Sequence, residues 1–164
     1  MTTAPFRQQL EDFHAKLTRR AEAVVRDTVL QLGYALVERS PWGRWEMWGH
    51  YWQSRKPIDR APFYKPGLFK GSWDYDFDAP PSARLNSIDV SGGTSMVRIN
   101  AARTTPAFVT HYIVNNTEYA MVMEYGGAFH NVPDPTPPGG MVRVTALEFP
   151  SFVKTAMADA RKVA

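Results

Sequence analysis

The chain has 164 residues, 44% hydrophobic and 21% charged, with a formal net charge of +3. That composition suits one globular domain with a real core and excludes a disordered polymer. The chain contains no cysteine, which excludes disulfides and thiolate metal sites; it has no apolar run long enough to cross a bilayer and no basic start followed by an apolar block. No membrane partner is expected, and a cytosolic origin fits.

Residues 5–38 read as one long amphipathic helix. Phe6, Leu10, Phe13, Leu17, Ala21, Val24, Thr28, Leu32 and Ala35 recur at three- and four-residue steps and draw a stripe down one face. Arg7, Glu11, Arg19, Glu22 and Arg26 fall largely outside it, and His14 lies beside it as a surface or boundary residue. Gly33 weakens the last turns and marks a possible bend. Ser40-Pro41 ends the helix, because the residue before proline is driven out of the α region.

Residues 42–64 hold four of the five tryptophans, Trp42, Trp45, Trp48 and Trp52, with Tyr51, Arg55 and Lys56. Steps of three, three and four would set the tryptophans near one face of a short helix. Two readings compete. The aromatics close the domain's own core, or they form an arm that anchors in a neighbouring subunit, since Trp, Tyr and Arg dominate interface energy. The aromatic and basic mixture also permits base stacking and phosphate contact, though no recognition motif accompanies it. Residues 40–70 carry six basic residues against two acidic ones, and residues 71–128 three arginines against six acidic residues. A basic excursion beside an acidic sheet would let one copy dock on another; two separately solvated surfaces explain the same counts.

Lys65-Pro66-Gly67 is a turn. From Ser72 to Phe77 the pattern alternates, with Trp73, Tyr75 and Phe77 on one face and Ser72, Asp74 and Asp76 on the other, as in a strand with one wet face. Asp74, Asp76 and Asp78 lack the glycine and terminal glutamate of a calcium loop and read as a solvated face. Residues 86–90 and 95–100 read as short strands about the turn Ser91-Gly92-Gly93. His111 to Val114 and Tyr119 to Tyr125 read as a hairpin around Asn115-Asn116-Thr117. In that hairpin Tyr119, Met121, Met123 and Tyr125 share one side, and Glu124 lies on the other with Ala120 and Val122. A carboxylate there has to reach the rim or be paired.

His130 to Gly140 holds four prolines and two glycines in eleven residues, which excludes helix or central strand. Met141 to Val144 reads as a short edge strand, and Thr145 with Glu148 resembles a capping box. The last helix is placed at 150–162, with Phe152, Val153, Ala156, Met157 and Ala160 on its apolar face. The expected fold class is therefore α+β: a long N-terminal helix (5–38) and a C-terminal helix packed on an antiparallel sheet of about four strands (71–127). An aromatic and basic insertion (42–64) and a proline-rich loop (128–141) complete this single domain.

The four histidines, His14, His50, His111 and His130, have no paired spacing for zinc, and no nucleophile elbow, phosphate-binding glycine loop or dinucleotide fingerprint occurs. A hydrolase built on His111, Glu124 and His130 is conceivable because these lie on or near the hairpin. The reading assigns no catalytic residue, metal or cofactor.

The order of parts carries a resemblance. Ser40-Pro41 ends a long helix, Gly67-Leu68-Phe69-Lys70-Gly71-Ser72-Trp73 opens a strand, Asn115 to Ala120 and Glu124-Tyr125-Gly126 follow, and a helix comes after Pro150. In this the chain resembles the small neck or tail-completion proteins of long-tailed bacteriophages, the broad group that includes minor tail protein Z relatives. It departs from them in having Lys65-Pro66 where Asp-Thr often precedes the glycine, and in inserting residues 42–64. The resemblance implies a structural virion protein without catalysis, a homo-hexameric ring joining head and tail or completing the tail. Its implied partners are copies of itself and a connector or stopper, tail terminator or tail tube, with possible passing contact with genomic DNA. It would be assembled in the host cytoplasm. The expected contact residues are Trp42, Trp45, Trp48, Tyr51, Trp52, Arg55, Lys56, Glu124, His130, Pro133, Pro135, Pro137 and Pro138. The alternative is a non-viral module that binds a protein or ligand through the aromatic arm.

Overall fold

The computed structural model describes residues 4–43, 65–125 and 140–162. Its first element is α1, Ala4–Arg39. At a rise of about 1.5 Å per residue it is roughly 54 Å long. Pro5 sits in the first turn, where its missing N–H costs nothing, and no other proline interrupts the helix. Ser40 closes it: the backbone N–H reaches the Leu36 and Val37 carbonyls (3.1 and 3.2 Å) and the hydroxyl donates to the Leu36 carbonyl at 2.7 Å. The second half of α1 builds the core. Val29, Leu30, Leu36 and Val37 are buried with Phe69, Trp73, Tyr75, Ile99, Ala102 and Met141. The buried face is thus set by Val29, Leu30, Gly33, Leu36 and Val37, whereas Leu32 and Ala35 of the expected stripe are only half-buried.

The helix runs through Gly33 without interruption. A Cβ at this position would lie 2.6 Å from Ile99 Cγ2 and 3.3 Å from Ile113 Cδ1, so the glycine makes room for a crossing element. Gly33→Ala gains about 1 kcal/mol of helix propensity. Overpacking against a fully buried isoleucine costs about 1–3 kcal/mol. A lower thermal midpoint by circular dichroism is the expected result; a higher one would show that Ile99 yields freely.

Two strands pair among the described residues. β1 (Trp73–Asp76) runs antiparallel to β2 (Tyr112–Asn115), with Trp73 opposite Asn115 and Asp76 opposite Tyr112. Trp73 and Tyr75 point into the core and Asp76 is exposed, as the alternation requires. The other expected strands are not strands. Residues 95–100 lie in α2 (Gly93–Ile99) and the 3-10 turn that continues it (Asn100–Arg103). Residues 119–125 lie largely in α3 (Ala120–Tyr125), and residues 141–144 in α4 (Met141–Leu147). Residues 86–90 are irregular.

One physical cause underlies all three corrections. Each stretch also places apolar or small residues four apart, and the helix buries that pair: Ser95 with Ile99, and Met141 with Thr145. At α3, Tyr119 just before the helix and Ala120 and Met123 within it pack on the core while Met121 is exposed. Short runs fit both periods, and tertiary burial selects one. The turn before α3 is the expected one: Asn115 Oδ1 accepts the Thr117 N–H (3.2 Å) and hydroxyl (2.9 Å), and the Thr117 carbonyl accepts the Ala120 N–H. It leads into a helix rather than back along β2.

Asp89 organises the start of α2. Its carboxylate accepts the Ser91 hydroxyl (2.6 Å), the Thr94 N–H (2.8 Å) and the Ser91 N–H (2.8 Å), serving a helix whose own cap, Gly92, has no side chain. These bonds, the Ser91 hydroxyl first, hold its carboxyl well below the usual carboxylate range. A depressed folded pKa stabilises above the unfolded value near 3.9 and is lost as pH falls further. Asp89→Asn keeps one acceptor oxygen but loses the charge and the second acceptor, so it should be less stable than the native chain at pH 7, by less than the roughly 0.5–2 kcal/mol of a cap cut back to alanine. The gap should begin to narrow below about pH 4 and close only as the folded carboxylate itself takes up a proton at still lower pH. A gap independent of pH would remove the charge from the explanation.

The last helix, α5 (Phe149–Lys162), begins beside Pro150 as expected and buries Ala156 and Ala160. It lies antiparallel along α1. Glu148, just before its start, meets Arg39, and Asp159 and Ala160 near its end share a shallow cleft with Arg20 and Ala23. Phe152 and Val153 are half-buried, and Met157 is exposed rather than on the packed face. No described helix is long and apolar enough to cross a membrane.

Candidate interaction surface

The C-terminal end of α1 is a hub. The buried Ser40 hydroxyl accepts the Trp73 indole N–H at 2.7 Å, and Met141 Sδ lies 3.4 Å away. Helix, strand and α4 thus meet at one side chain. Two residues on, the Trp42 carbonyl accepts the Gly67 N–H at 2.7 Å. The chain therefore leaves for residues 44–64 and returns from them at adjacent points. Gly67 adopts φ +84°, and its missing side chain lets the backbone of Asp89 and Val90 approach, with the Asp89 N–H donating to the Gly67 carbonyl at 3.2 Å.

Residues 126–139 are rooted beside the same hub. Glu124, at the end of α3, turns its carboxylate onto the start of α4, accepting the Val142 and Arg143 N–H groups at 2.9 and 3.0 Å. A carboxylate suits the exposed donors and positive pole of a helix start. Arg143 in turn donates to the Glu124 carbonyl at 3.1 Å, and its guanidinium lies 5.1 Å from the centre of the Tyr125 ring. A side chain on Gly140 (φ +76°) would strike the Glu124 carbonyl and carboxylate, so the glycine is what allows the closure. Arg39 stitches the same end of the molecule, donating to the Thr145 hydroxyl (2.7 Å) and to Glu148 (2.6 Å). Thr145 and Glu148 thus receive an arginine from α1 instead of forming a capping box.

Glu124 is therefore a paired internal carboxylate, 11% exposed, rather than a sheet-rim contact. Replacing it with alanine leaves two helix-start N–H groups without their acceptor and removes the carboxylate beside the Arg143 guanidinium, which keeps its bond to the residue 124 carbonyl. A loss of about 1–3 kcal/mol in denaturant unfolding is expected. Trp42 sits half-buried at the root of the aromatic segment. Trp45, Trp48, Tyr51, Trp52, Arg55, Lys56, His130, Pro133, Pro135, Pro137 and Pro138 lie outside the described residues. Around the second root, Met121, Tyr125 and Val142 are exposed apolar side chains. Sequence reasoning did not single out Arg39 or Arg143. The legible signal was the carboxylate in an apolar run, which required a partner without naming it.

The proposed hydrolytic grouping finds its described members otherwise engaged. His111 donates from Nε2 to the Ala107 carbonyl (3.1 Å) and accepts the Tyr75 hydroxyl at Nδ1 (2.8 Å), with the two rings stacked at 6.0 Å. Both Glu124 oxygens bind backbone N–H groups of α4. Among the described residues no three His, Cys, Asp or Glu side chains cluster as a metal site would need.

Five residues of the stretches on which the resemblance was read pack together. Ser40 binds Trp73, Asn115 Nδ2 donates to the Phe69 carbonyl (2.9 Å), and the Tyr119 ring lies 5.9 Å from that of Phe69. Compared with known protein families, curated proteins and solved structures, the chain matches none.

Proposed function

We propose that the chain is a structural subunit of a phage neck or tail top, working by contact with identical copies and with the proteins above and below. The observation that carries this reading is the pairing of roots. Residues 44–64 and 126–139, the stretches richest in interface-type aromatics and prolines, both start and finish beside Ser40. A stiff body with two long segments at one end is suited to clasping a neighbour. A ring needs such a heterologous contact, in which one part of each copy meets a different part of the next and rotation closes the circle. The exposed Met121, Tyr125 and Val142 lie beside the second root and supply apolar contact area. The finer architecture of the reading, a ring of six copies, rests on the resemblance.

The deciding experiment mixes the purified chain with connector and tail-tube components and images the joints. Density for the chain at a joint supports the proposal, and its absence from every joint ends it. The double variant Trp45→Ala with Trp48→Ala separates interface from core. Lost incorporation with an unchanged thermal midpoint is expected. A collapsed midpoint with incorporation intact would return the tryptophans to the domain's own core.

A further inference from the structure

The first four turns of α1 run past the end of α5. The cleft between the two helices involves Lys16, Arg19 and Arg20, and Ala160 is the last buried residue of α5. Ahead of that cleft Phe6, Leu10 and Phe13, and level with its start Leu17, are 48–73% exposed. Their steps of four, three and four residues hold one face of the helix, the spacing of a coiled-coil seam. The stripe presents on the order of 500 Å² of apolar surface, at the upper end of what a monomer shows.

At full stretch the backbone of the two internal segments outside the described residues does not reach the middle of the stripe. The middle of the stripe lies about 43 Å along α1 from Ser40. Residues 44–64 number 21 and are tied at both ends beside Trp42, so a fully stretched excursion extends roughly 37 Å out and back. Residues 126–139 number 14 and extend roughly 25 Å from their root.

We propose that the occupant is the same stretch of a second copy, packed antiparallel across a two-fold axis between Leu10 and Phe13. In that register Phe6 faces the partner's Leu17 and Leu10 faces the partner's Phe13. Every layer then holds one phenylalanine and one leucine, an even fill that a parallel pair, with Phe on Phe and Leu on Leu, does not give. Gln9 falls opposite the partner's Lys16. Arg7, whose charge is balanced by Glu11 at 2.9 Å, falls opposite the partner's His14. The bodies sit at opposite ends of the helix pair and do not collide. Two copies bury at most about 1,000 Å² of apolar surface from the stripes, to which the stems of flanking long side chains add, the size of a weak, reversible contact. The contact is isologous and so cannot itself close a ring. It is separate from the segments rooted at Ser40 and holds whether or not the neck reading does.

Sedimentation equilibrium of the full chain, from low micromolar to several hundred micromolar, is expected to show a species of twice the 18.5 kDa chain mass. Leu10→Glu places a charge in the seam and should weaken pairing at least about 100-fold. At concentrations where the native chain is single, its thermal midpoint should be unchanged, because Leu10 lies outside the core. A native chain that stays single throughout, or a Leu10→Glu chain that associates like the native one, overturns the proposal. Orientation is read by oxidising an equimolar mixture of Leu10→Cys and Phe13→Cys chains, which carry no other cysteine. Cross-links between the two variants are expected to dominate. Predominant Leu10→Cys self-links would overturn the antiparallel register.

Discussion

Replacing Trp73 with alanine is expected to destabilise the fold by about 3–5 kcal/mol, as for other large aromatic truncations in a core. Trp73 is 4% exposed and packs edge-on against Phe69, with ring centroids 5.9 Å apart. Its indole N–H is the donor that Ser40 receives at the end of α1. Its backbone is held on both sides, the N–H by the Ser95 hydroxyl and the carbonyl by Arg98, each at 3.1 Å. The truncation thus opens a cavity where three elements meet and strips the hub of its hydrogen bond. A thermal midpoint lower by about 10 °C is the expected reading for a domain of this size. Trp73→Phe keeps most of the ring and loses only the N–H, so it should cost about 1–2 kcal/mol. Equal losses in the two variants would mean that the hydrogen bond to Ser40, not the cavity, dominates. A Trp73→Ala loss under about 1 kcal/mol would remove the hub from the account of stability.

Gly67→Ala is expected to cost more than about 3 kcal/mol, through backbone conformation and contact together. At φ +84° an alanine is strained, and its Cβ would fall 2.4 Å from the Val90 nitrogen and 2.5 Å from the Asp89 carbonyl carbon. Both are main-chain atoms and cannot rotate away. The displacement would also pull on the Gly67 carbonyl, which accepts N–H groups from Gly71 and Asp89. Gly43 is the internal control. It has a similar φ of +78°, but the nearest atom to a built Cβ is Pro66 Cα at 3.9 Å. Gly43→Ala should therefore show only the conformational part, about 1–2 kcal/mol. Matching losses at the two sites, measured by denaturant unfolding, would show that the approach of residues 89–90 contributes nothing.

The sequence was informative wherever one local rule had no competitor. The length of α1 follows from Pro5 at one end and Ser40-Pro41 at the other, and the structure differs by one residue at each end. The strand at Trp73 follows from strict alternation of aromatic and acidic residues, and the start of α5 from Pro150. The Asn115 turn was legible from side-chain chemistry, but the element after it was not. The expected hairpin fails because β2 pairs with β1, whose paired residues lie 36 (Asp76 with Tyr112) to 42 (Trp73 with Asn115) positions earlier. That choice is made by burial across the whole domain, where a helix at 120–125 lays Ala120 and Met123 on the core. The Glu124 carboxylate was recognisable as needing a partner. Its partner, a helix start eighteen residues on, exists only once α3 and α4 lie together.

The amino-acid sequence by itself determined the long N-terminal helix, its stop, the inward faces of Trp73 and Tyr75, and the apolar stripe from Phe6 to Leu17. Each follows from spacing or from proline and serine chemistry, which act over a few residues. Only the tertiary structure decided that 93–99, 120–125 and 141–147 are helices, that α1 buries one half of its length and presents the other, and that Ser40 joins three elements. Those outcomes depend on which apolar faces meet, and for runs of six or seven residues that competition between periods is settled by the partner surface rather than by the run.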